Sequence, residues 1–336
     1  MARSIAILKA LALAYRRDWT AFQSLAGNNF FLITAFLLRT AGTFVYLVFG
    51  LVVLFPLSTD PLRKVPPSRM ALWPLERRER WILRLASPWI NPLTWAVAGL
   101  AVWGAGRTLS VGLWAGIAAL FAGVFLISAL PLPRGNGMFR RVPQFPGPLN
   151  QLIRKNLREI LSTLDFYCAL ILSVAVLAYR IFGPPLPHEA FMAMTVLVVG
   201  AMSSYAQCLF GLDGEGGLSR YRLLPVRGWQ LLLAKDAAFL AAVIPLTLPL
   251  AVLPGIGAAL VALAVGHSPA VEHPRPQTRW RFSTGAALGN AAIQLVALAM
   301  TASGIYLTST WFLAPAVAAW AISVWWYGRD VERVLG

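Results

Sequence analysis

The histidines and cysteines are the side chains of this sequence most suited to holding a metal ion or acting as general bases. The three histidines are His188, His267 and His273. We expect all three to lie in loops, and they form neither an HExxH motif nor another spacing typical of zinc ligands. Cys168 and Cys208 fall in apolar segments, which predicts small buried side chains rather than a disulfide. We therefore expect no metal site.

The motifs of nucleophilic catalysis and of ATP hydrolysis do not occur in the sequence. There is no GxSxG motif, and we expect no histidine inside an apolar span that would serve as the base. There is no GxxxxGK[ST] motif either, and the glycine-rich segment 214–217 lacks the lysine that reaches the phosphates. We predict that the chain is not an enzyme and has no catalytic or cofactor-binding residue of its own.

Polar residues inside the apolar segments are few. Asp165, Asp213 and Asp236 are expected at the ends of these segments, whereas ion-driven transporters usually place carboxylates at mid-depth in the membrane. This pattern favours an energy source outside the chain. The uncharged polar residues are candidates for a substrate path, with helix packing as the alternative. They are Ser203, Ser204, Gln207, Asn290 and Gln294.

The composition is that of a membrane protein. Of 336 residues, 58% are hydrophobic and only 12% are charged, with a mean hydropathy of +0.66. A soluble domain has about 25% charged residues. The net charge of +16 comes from basic blocks between apolar stretches, which is typical of cytoplasmic loops facing an anionic leaflet. No nucleic-acid recognition motif accompanies the charge, so we expect the lipid bilayer, and not nucleic acid, as a partner.

The apolar stretches predict helical hairpins. Each stretch is longer than the roughly 20 residues of one crossing, and each contains a break near its middle. The stretches are 19–58, 92–132, 165–212, 236–266 and 285–327, with breaks at 39–42, 104–109, 183–185, 254–257 and 303–310. The prediction is an all-α polytopic membrane protein of 8–10 transmembrane helices in about five hairpins. Because 44–58, 92–106 and 253–266 are short, eight spans is the lower bound.

The distribution of charge supports this topology. With hairpins, all but three of the 29 Lys and Arg residues are cytoplasmic, the exceptions being Arg39, Arg107 and Arg180. Single long helices at 29–58 and 237–266 would instead place the basic blocks outside, against the positive-inside rule. Both termini are therefore predicted to be cytoplasmic.

The segment 133–149 is predicted to be a Pro/Gly-rich cytoplasmic linker between two membrane halves. The first half, 1–132, has an interfacial amphipathic helix, with Ile5, Leu8, Leu11 and Tyr15 near one face, followed by two hairpins. The second half, 150–336, begins with a similar helix over 152–161 and continues with three hairpins. The chain thus reads as a degenerate repeat.

The repeat is clearest in two loops, Leu72–Arg84 and Leu223–Lys235. Aligned on Pro74 and Pro225, both read apolar-apolar-Pro-apolar, then polar residues, then an apolar run that ends in a base. Proline is tolerated in the first helical turn, so each loop is predicted to begin a short helix leading into the next span. Before the second loop, the acidic-glycine turn 213–217 is expected to pair its carboxylates with Arg220 or Arg222.

The second loop, from Phe210-Gly211-Leu212-Asp213 through Arg220 to Pro225 and on to Lys235, resembles the permease subunits of ATP-binding-cassette exporters of the second type. The region 28–95 resembles bacterial members of the same group. The resemblance implies a coupling helix in this loop that docks on a separate ATPase subunit carrying ATP-Mg. It also implies the bacterial cytoplasmic (inner) membrane and a second permease copy as a further candidate partner. The candidate docking residues are Pro74, Glu76, Glu79 and Arg80 in the first loop and Arg220, Arg222, Pro225, Arg227, Trp229 and Gln230 in the second.

Two alternatives remain open on the sequence. The first is a membrane-embedded enzyme acting on lipid or isoprenoid phosphates, with arginine clusters as phosphate clamps. The nearest acids for such chemistry are Glu76, Glu79, Asp213 and Glu215, and none has a metal-binding DxxxD spacing. The second alternative is a non-transporting membrane scaffold.

Overall fold

The computed structural model describes most of the second half of the chain and part of the first. The described residues are 2–17, 62, 65, 69–70, 72–90, 95, 142, 144–182, 188–213, 220–274, 283 and 288–335. All the regular structure in these residues is helical. By contacts the chain divides into two compact units, one of residues 1–23 and 34–134, the other of residues 24–33 and 135–336.

The first unit contains α1 (Ala2–Arg17) and α2 (Arg77–Ala86), and a 3-10 turn at Ser87–Ile90 follows α2. One face of α1 packs on a small apolar cluster. The buried cluster is Leu62, Leu75 and Leu83, and Ile7, Leu8, Leu11, Met70 and Trp73 pack against it. Ile5, predicted to share that face, is instead exposed, and the side chain of Tyr15 lies outside the described part.

The second unit begins with an amphipathic helix and continues with three successive pairs of long helices. Its helices are α3 (Asn150–Ile160), α4 (Leu164–Phe182), α5 (His188–Ala206), α6 (Gly228–Thr247), α7 (Val252–Glu272), α8 (Leu288–Leu307) and α9 (Leu313–Leu335). A 3-10 turn at Gly211–Asp213 follows α5, and another at Thr310–Phe312 precedes α9. Helix α3 packs on the first turns of α6 with Ile153, Leu157 and Ile160 buried.

Helix α7 is the centre of the second unit, since it contacts α5, α6, α8 and α9. Small residues allow these close approaches. A Cβ on Gly266 would lie 2.6 Å from the carbonyl oxygen of Ala206, so this crossing requires glycine. The helix–helix contacts therefore rest on short side chains more than on large apolar ones.

Four helices of the described residues are long and apolar enough to cross a membrane: Leu164–Phe182, Gly228–Thr247, Val252–Glu272 and Gly289–Leu307. The protein is therefore an all-helical chain with the elements of a membrane protein. The three pairs α4–α5, α6–α7 and α8–α9 fall where the second-half hairpins are predicted. The count of five hairpins stays a prediction.

One predicted break lies elsewhere. The sequence places it at 254–257, whereas α6 ends at Thr247 and α7 begins at Val252. Pro254 occupies the first turn of α7, where the missing N–H of proline would have no helical partner in any case. As a result α7 is a full 21-residue helix rather than a short segment. The breaks at 39–42, 104–109 and 183–185, the short segments 44–58 and most of 92–106, and most of the linker 133–149 lie outside the described residues.

Candidate functional sites

The two proline loops share most of their backbone hydrogen bonds at corresponding residues. We call residues 72–80 the first proline turn and residues 223–231 the second, so that residue 72 corresponds to 223 and residue 80 to 231. Four N–H···O bonds recur in both turns at nearly the same length, and the second turn has one more, from the N–H of Gln230 to the carbonyl oxygen of Arg227. The pairs of bonds are Leu72–Arg69 and Leu223–Arg220 (3.1 and 3.2 Å), Trp73–Met70 and Leu224–Tyr221 (3.2 and 3.1 Å), Leu75–Trp73 and Val226–Leu224 (2.7 and 2.8 Å), and Arg80–Glu76 and Leu231–Arg227 (3.0 and 3.1 Å).

Each turn ends in a helix that is capped in the same way. The backbone N–H of Glu76 donates to Oε2 of Glu79 at 3.3 Å, and that of Arg227 donates to Oε1 of Gln230 at 2.9 Å. A side chain that reaches back from the third helical position to the N-cap is half of a capping box. Glu79 and Gln230, predicted as docking residues, therefore first serve to fix where α2 and α6 begin.

The predicted docking residues lie mainly on the surface. Exposed are Pro74, Glu76 and Arg80 in the first turn and Arg220, Arg222, Pro225, Arg227 and Trp229 in or next to the second; Glu79 and Gln230 are half-buried. Leu72 and Leu223, at corresponding positions, are 81% and 85% exposed. Exposed leucines beside arginines give each turn a mixed apolar and basic tip, which suits a protein partner better than water.

The second turn is held rigidly against the end of α9. The N–H of Gly228 donates to Oε1 of Glu332 at 3.1 Å, and a Cβ on Gly228 would overlap the carbonyl oxygen of Gly328. A Cβ on Gly328 would in turn lie 2.7 Å from Cβ of Trp229. The start of α6 thus moves with the end of α9, so a force applied at the turn reaches two helices of the unit.

An ionic cluster, made of Lys155, Asp213, Tyr221 and Lys235, lies next to the second turn. Its members are buried except for Lys155, whose side chain is 44% exposed. Lys235 is 2% exposed, and its Nζ donates to Oδ2 of Asp213 at 2.8 Å and to the carbonyl oxygen of Leu209 at 2.7 Å. Lys155 of α3 forms an ion pair with the other carboxylate oxygen, Oδ1. The hydroxyl of Tyr221 donates to the same oxygen at 2.7 Å. The cluster therefore joins α3, the loop before α6, and α6.

The charges of the cluster set its titration. Burial alone would raise the pKa of Asp213, but the Lys235 ammonium and the hydrogen bonds from Lys155, Lys235 and Tyr221 hold that pKa below its ordinary value. Burial, followed by the neighbouring Asp213 carboxylate, raises the pKa of Tyr221 well above the range of a free tyrosine. Asp213 is thus an anion and Tyr221 a neutral donor. The predicted pairing of this turn with Arg220 or Arg222 is wrong for Asp213, whose partners are lysines.

The corresponding place in the first unit is apolar. At the same spacing that relates the two turns, Leu62 corresponds to Asp213, Met70 to Tyr221 and Arg84 to Lys235. Leu62 is buried in the apolar cluster, and Arg84 is exposed. The repeat has therefore kept the backbone of the turn while exchanging what supports it, from apolar packing to ion pairs.

Two predictions about ionisable residues are wrong. His267 lies inside α7, not in a loop, and is fully buried. Asp236 lies well inside the candidate span Gly228–Thr247 and is also fully buried. The two side chains meet, with Nε2 of His267 3.0 Å from Oδ1 of Asp236. His188 is likewise helical, as the first residue of α5, while His273 follows the end of α7.

The surroundings of His267 have the order of a serine–histidine–aspartate triad. Nδ1 of His267 lies 2.7 Å from Oγ of Ser323, and Nε1 of Trp320 donates to Oδ2 of Asp236 at 2.7 Å. The Ser323 hydroxyl, however, donates to the carbonyl oxygen of Ala264 at 2.9 Å, and the residue is buried. A hydroxyl used in this way accepts from Nδ1–H instead of passing its proton to the ring. The arrangement is therefore better suited to linking α6, α7 and α9 than to nucleophilic attack.

The candidate substrate-path residues lie in the interior of the second unit. Ser203, Ser204, Gln207 and Gln294 are buried, and Asn290 is half-buried. Nε2 of Gln207 donates to Oε1 of Gln294 at 2.6 Å, and Nε2 of Gln294 donates to the carbonyl oxygen of Ala262 at 2.6 Å. The structure thus brings Gln207 and Gln294 together, in a chain of amides that ties the end of α5 to α7 and α8.

One feature of the sequence indicates where the residues that were not predicted would lie. Lys235 and Asp236 are adjacent at the start of an apolar run, and neighbouring helix positions point about 100° apart. One therefore faces α3 and the other faces α7 and α9. Their partners, Asp213 and His267, lie 22 and 31 residues away in sequence and carry no local signal. Within the described ranges, no group of three or more His, Cys, Asp and Glu residues is placed to hold a metal ion.

No protein-family model matches this chain, and comparisons with curated proteins and with solved structures find no match either.

Proposed function

We propose that this chain is the transmembrane permease subunit of an ATP-binding-cassette transporter of the bacterial cytoplasmic membrane. It moves a substrate across the membrane with ATP hydrolysed by a separate subunit, and both of its termini and its proline turns face the cytoplasm. One observation carries the proposal: the two proline turns share four backbone hydrogen bonds and their caps, although their supporting residues differ.

A turn whose surface binds a partner is expected to keep its backbone conformation even where the residues packed behind it differ. Each turn presents an exposed leucine beside exposed basic residues. A transporter driven by a paired ATPase needs two such protrusions, one for each ATPase subunit. The anchoring of Gly228 on Glu332 at 3.1 Å favours the same role, since a loose loop would not transmit force.

The proposal does not rest on a scarcity of ionisable groups in the interior. The buried Asp236–His267 contact favours a second candidate function, in which transport is coupled to protons rather than to ATP. The two functions differ in what they require: an ATPase subunit in the first, and a pH gradient in the second.

Reconstitution separates them. The chain is purified alone and with a candidate ATPase subunit, chosen from the same genome for its Walker A motif, and both preparations are placed in proteoliposomes. We expect magnesium-dependent ATP hydrolysis only from the complex, and no hydrolysis when the Walker A lysine of the ATPase is replaced by alanine. Robust ATP hydrolysis by the chain alone contradicts the permease assignment. Failure to form a complex, together with substrate flux that follows an imposed pH gradient, favours the proton-coupled function.

A further inference from the structure

The second unit contains an apolar groove with a volume of about 900 Å³ between α4 and α6. Its wall runs along α4 from Phe166 to Leu177, which is about 16 Å at 1.5 Å per residue. That length is about half of the roughly 30 Å hydrocarbon core, and so corresponds to one leaflet. Across the groove lie residues of α6, among them Ala241 and the helical proline Pro245.

The lining of the groove is apolar throughout apart from Ser173. The Ser173 hydroxyl donates to the carbonyl oxygen of Leu246 at 2.7 Å, so it has a partner within the protein. Val174 and Leu177, both in the lining, are 53% and 40% exposed. On α4, a candidate membrane-spanning helix, exposed apolar side chains face lipid. The groove therefore opens towards the bilayer.

The end of the groove next to α3 carries positive charge. Leu157 and Leu161 line this end. Arg154 lies three residues before Leu157 and Arg158 three residues before Leu161, so each arginine shares a face of α3 with one of these leucines. Arg158 is exposed, and Nε of Arg154 is buried without a hydrogen-bond partner. An Nε–H without an acceptor is costly, and the Arg154 side chain is only half-buried, so its guanidinium is accessible to a further acceptor.

We propose that this groove binds an anionic glycerophospholipid, with its acyl chains between α4 and α6 and its phosphate at Arg154 and Arg158. The apolar length of the groove matches acyl chains, and the unpaired Nε of Arg154 provides a donor for a phosphate oxygen. Planar guanidinium groups bind phosphate with particular strength. Arg154 and Arg158 lie on the same helix as Lys155 of the ionic cluster, so a bound lipid would steady the support of the second proline turn. The lipid site does not depend on the identity of the energy source.

The test measures unfolding of the full chain in neutral detergent with added lipid. Cys168 and Cys208 are free and buried, so a thiol-reactive fluorescent maleimide reports unfolding. We expect phosphatidylglycerol to raise the unfolding midpoint at lower concentration than phosphatidylcholine does. Inorganic phosphate alone should have no such effect, because it cannot fill the groove.

Variants separate the head of the site from its groove. In R154Q/R158Q we expect the phosphatidylglycerol concentration for half-maximal effect to rise about tenfold, as for loss of one charge-assisted hydrogen bond. Arg84→Gln, which removes an exposed charge of the first unit, should leave it unchanged. Val174→Trp, which places a large ring at the exposed edge of the groove, should weaken the response to both lipids.

Three results would overturn the proposal. Equal responses of the wild-type chain to the two lipids would show that the site does not recognise the anionic headgroup. A full response to inorganic phosphate would show that the site binds a free anion and not a lipid. An unchanged response in both R154Q/R158Q and V174W would mean that the lipid acts elsewhere, and Ala241→Phe, which fills the groove from the opposite wall, checks this last result independently.

Discussion

Replacing Lys235 by methionine tests whether the ionic cluster supports the second proline turn. The substitution keeps the length and apolar stem of the side chain and removes only the charge. It leaves the carbonyl oxygen of Leu209 without its donor at 2.7 Å and takes from Asp213 its partner at 2.8 Å. Asp213 keeps Lys155 and Tyr221, so its burial is only partly uncompensated.

The size of the effect follows from these contacts. Removing one member of a buried ion pair costs about 3–5 kcal/mol, and the remaining partners of Asp213 place Lys235→Met at the lower end, near 3 kcal/mol. At about 2–4 °C for each kcal/mol in a domain of this size, the unfolding midpoint should fall by about 6–12 °C. The assay is maleimide labelling of the buried Cys168 and Cys208 during heating.

The repeat supplies a matched control. Arg84 corresponds to Lys235 in the first unit and is exposed, so Arg84→Met should cost at most about 0.5 kcal/mol. The double variant D213L/K235M should recover part of the loss, because it removes both charges together. Equal midpoints for K235M and R84M would refute the reasoning and make the cluster energetically neutral.

Three further predictions follow from the described contacts. Gln294→Leu removes the acceptor of Gln207 and the donor to Ala262, and should lower the free energy of unfolding by about 1–3 kcal/mol. Asn290→Leu, at a half-buried position on the same helix, should lower it less in the same melting assay. Stability should also fall at both ends of the pH range. Below about pH 4 it falls because the lowered pKa of Asp213 makes the folded chain bind fewer protons than the unfolded one. Above about pH 10 it falls because the raised pKa of Tyr221 keeps this hydroxyl protonated only in the folded chain. Unfolding midpoints of the wild type, D213N and Y221F across the pH range check both effects. Single cysteines at Arg78 and Arg222, in a background without Cys168 and Cys208, should react with a membrane-impermeant maleimide only in inside-out vesicles, and labelling in intact cells would contradict the cytoplasmic placement of the turns.

The sequence predicted those parts of the fold that depend on local composition. Hydropathy predicted the long helices. The alignment on Pro74 and Pro225 matched the two turns, because the proline, the cap residue and the third helical residue lie within a few residues of one another in the sequence. The break at 254–257 was misplaced for a local reason too, since proline near a helix start is compatible with the helix as well as with its interruption.

The buried ionic contacts could not be predicted in the same way. His267 and Asp236 belong to different helices, and their contact depends on how α6 and α7 pack. The partners of Asp213 were predicted from proximity in sequence, as Arg220 or Arg222, but the packing of α3 and α6 decides the pairing. Lys235 is buried, and Lys155 of α3, although 44% exposed, places its ammonium on the buried carboxylate, whereas Arg222 remains at the surface. Charge alone does not indicate which of several bases is enclosed by neighbouring helices.

The most direct test of the permease assignment is binding of the ATPase subunit to variants of the two turns. Arg227→Glu and Glu76→Arg reverse an exposed charge at corresponding cap positions, and Trp229→Ala removes a partly exposed aromatic side chain. Arg180→Gln, at an exposed position beside Pro249 and so at the opposite end of α6 from the second turn, is the control. If the turns dock, R227E and W229A should weaken co-purification of the ATPase by about 1–3 kcal/mol, with insertion and unfolding midpoint unchanged. Wild-type binding and wild-type stimulation of ATP hydrolysis in R227E, E76R and W229A alike would contradict it.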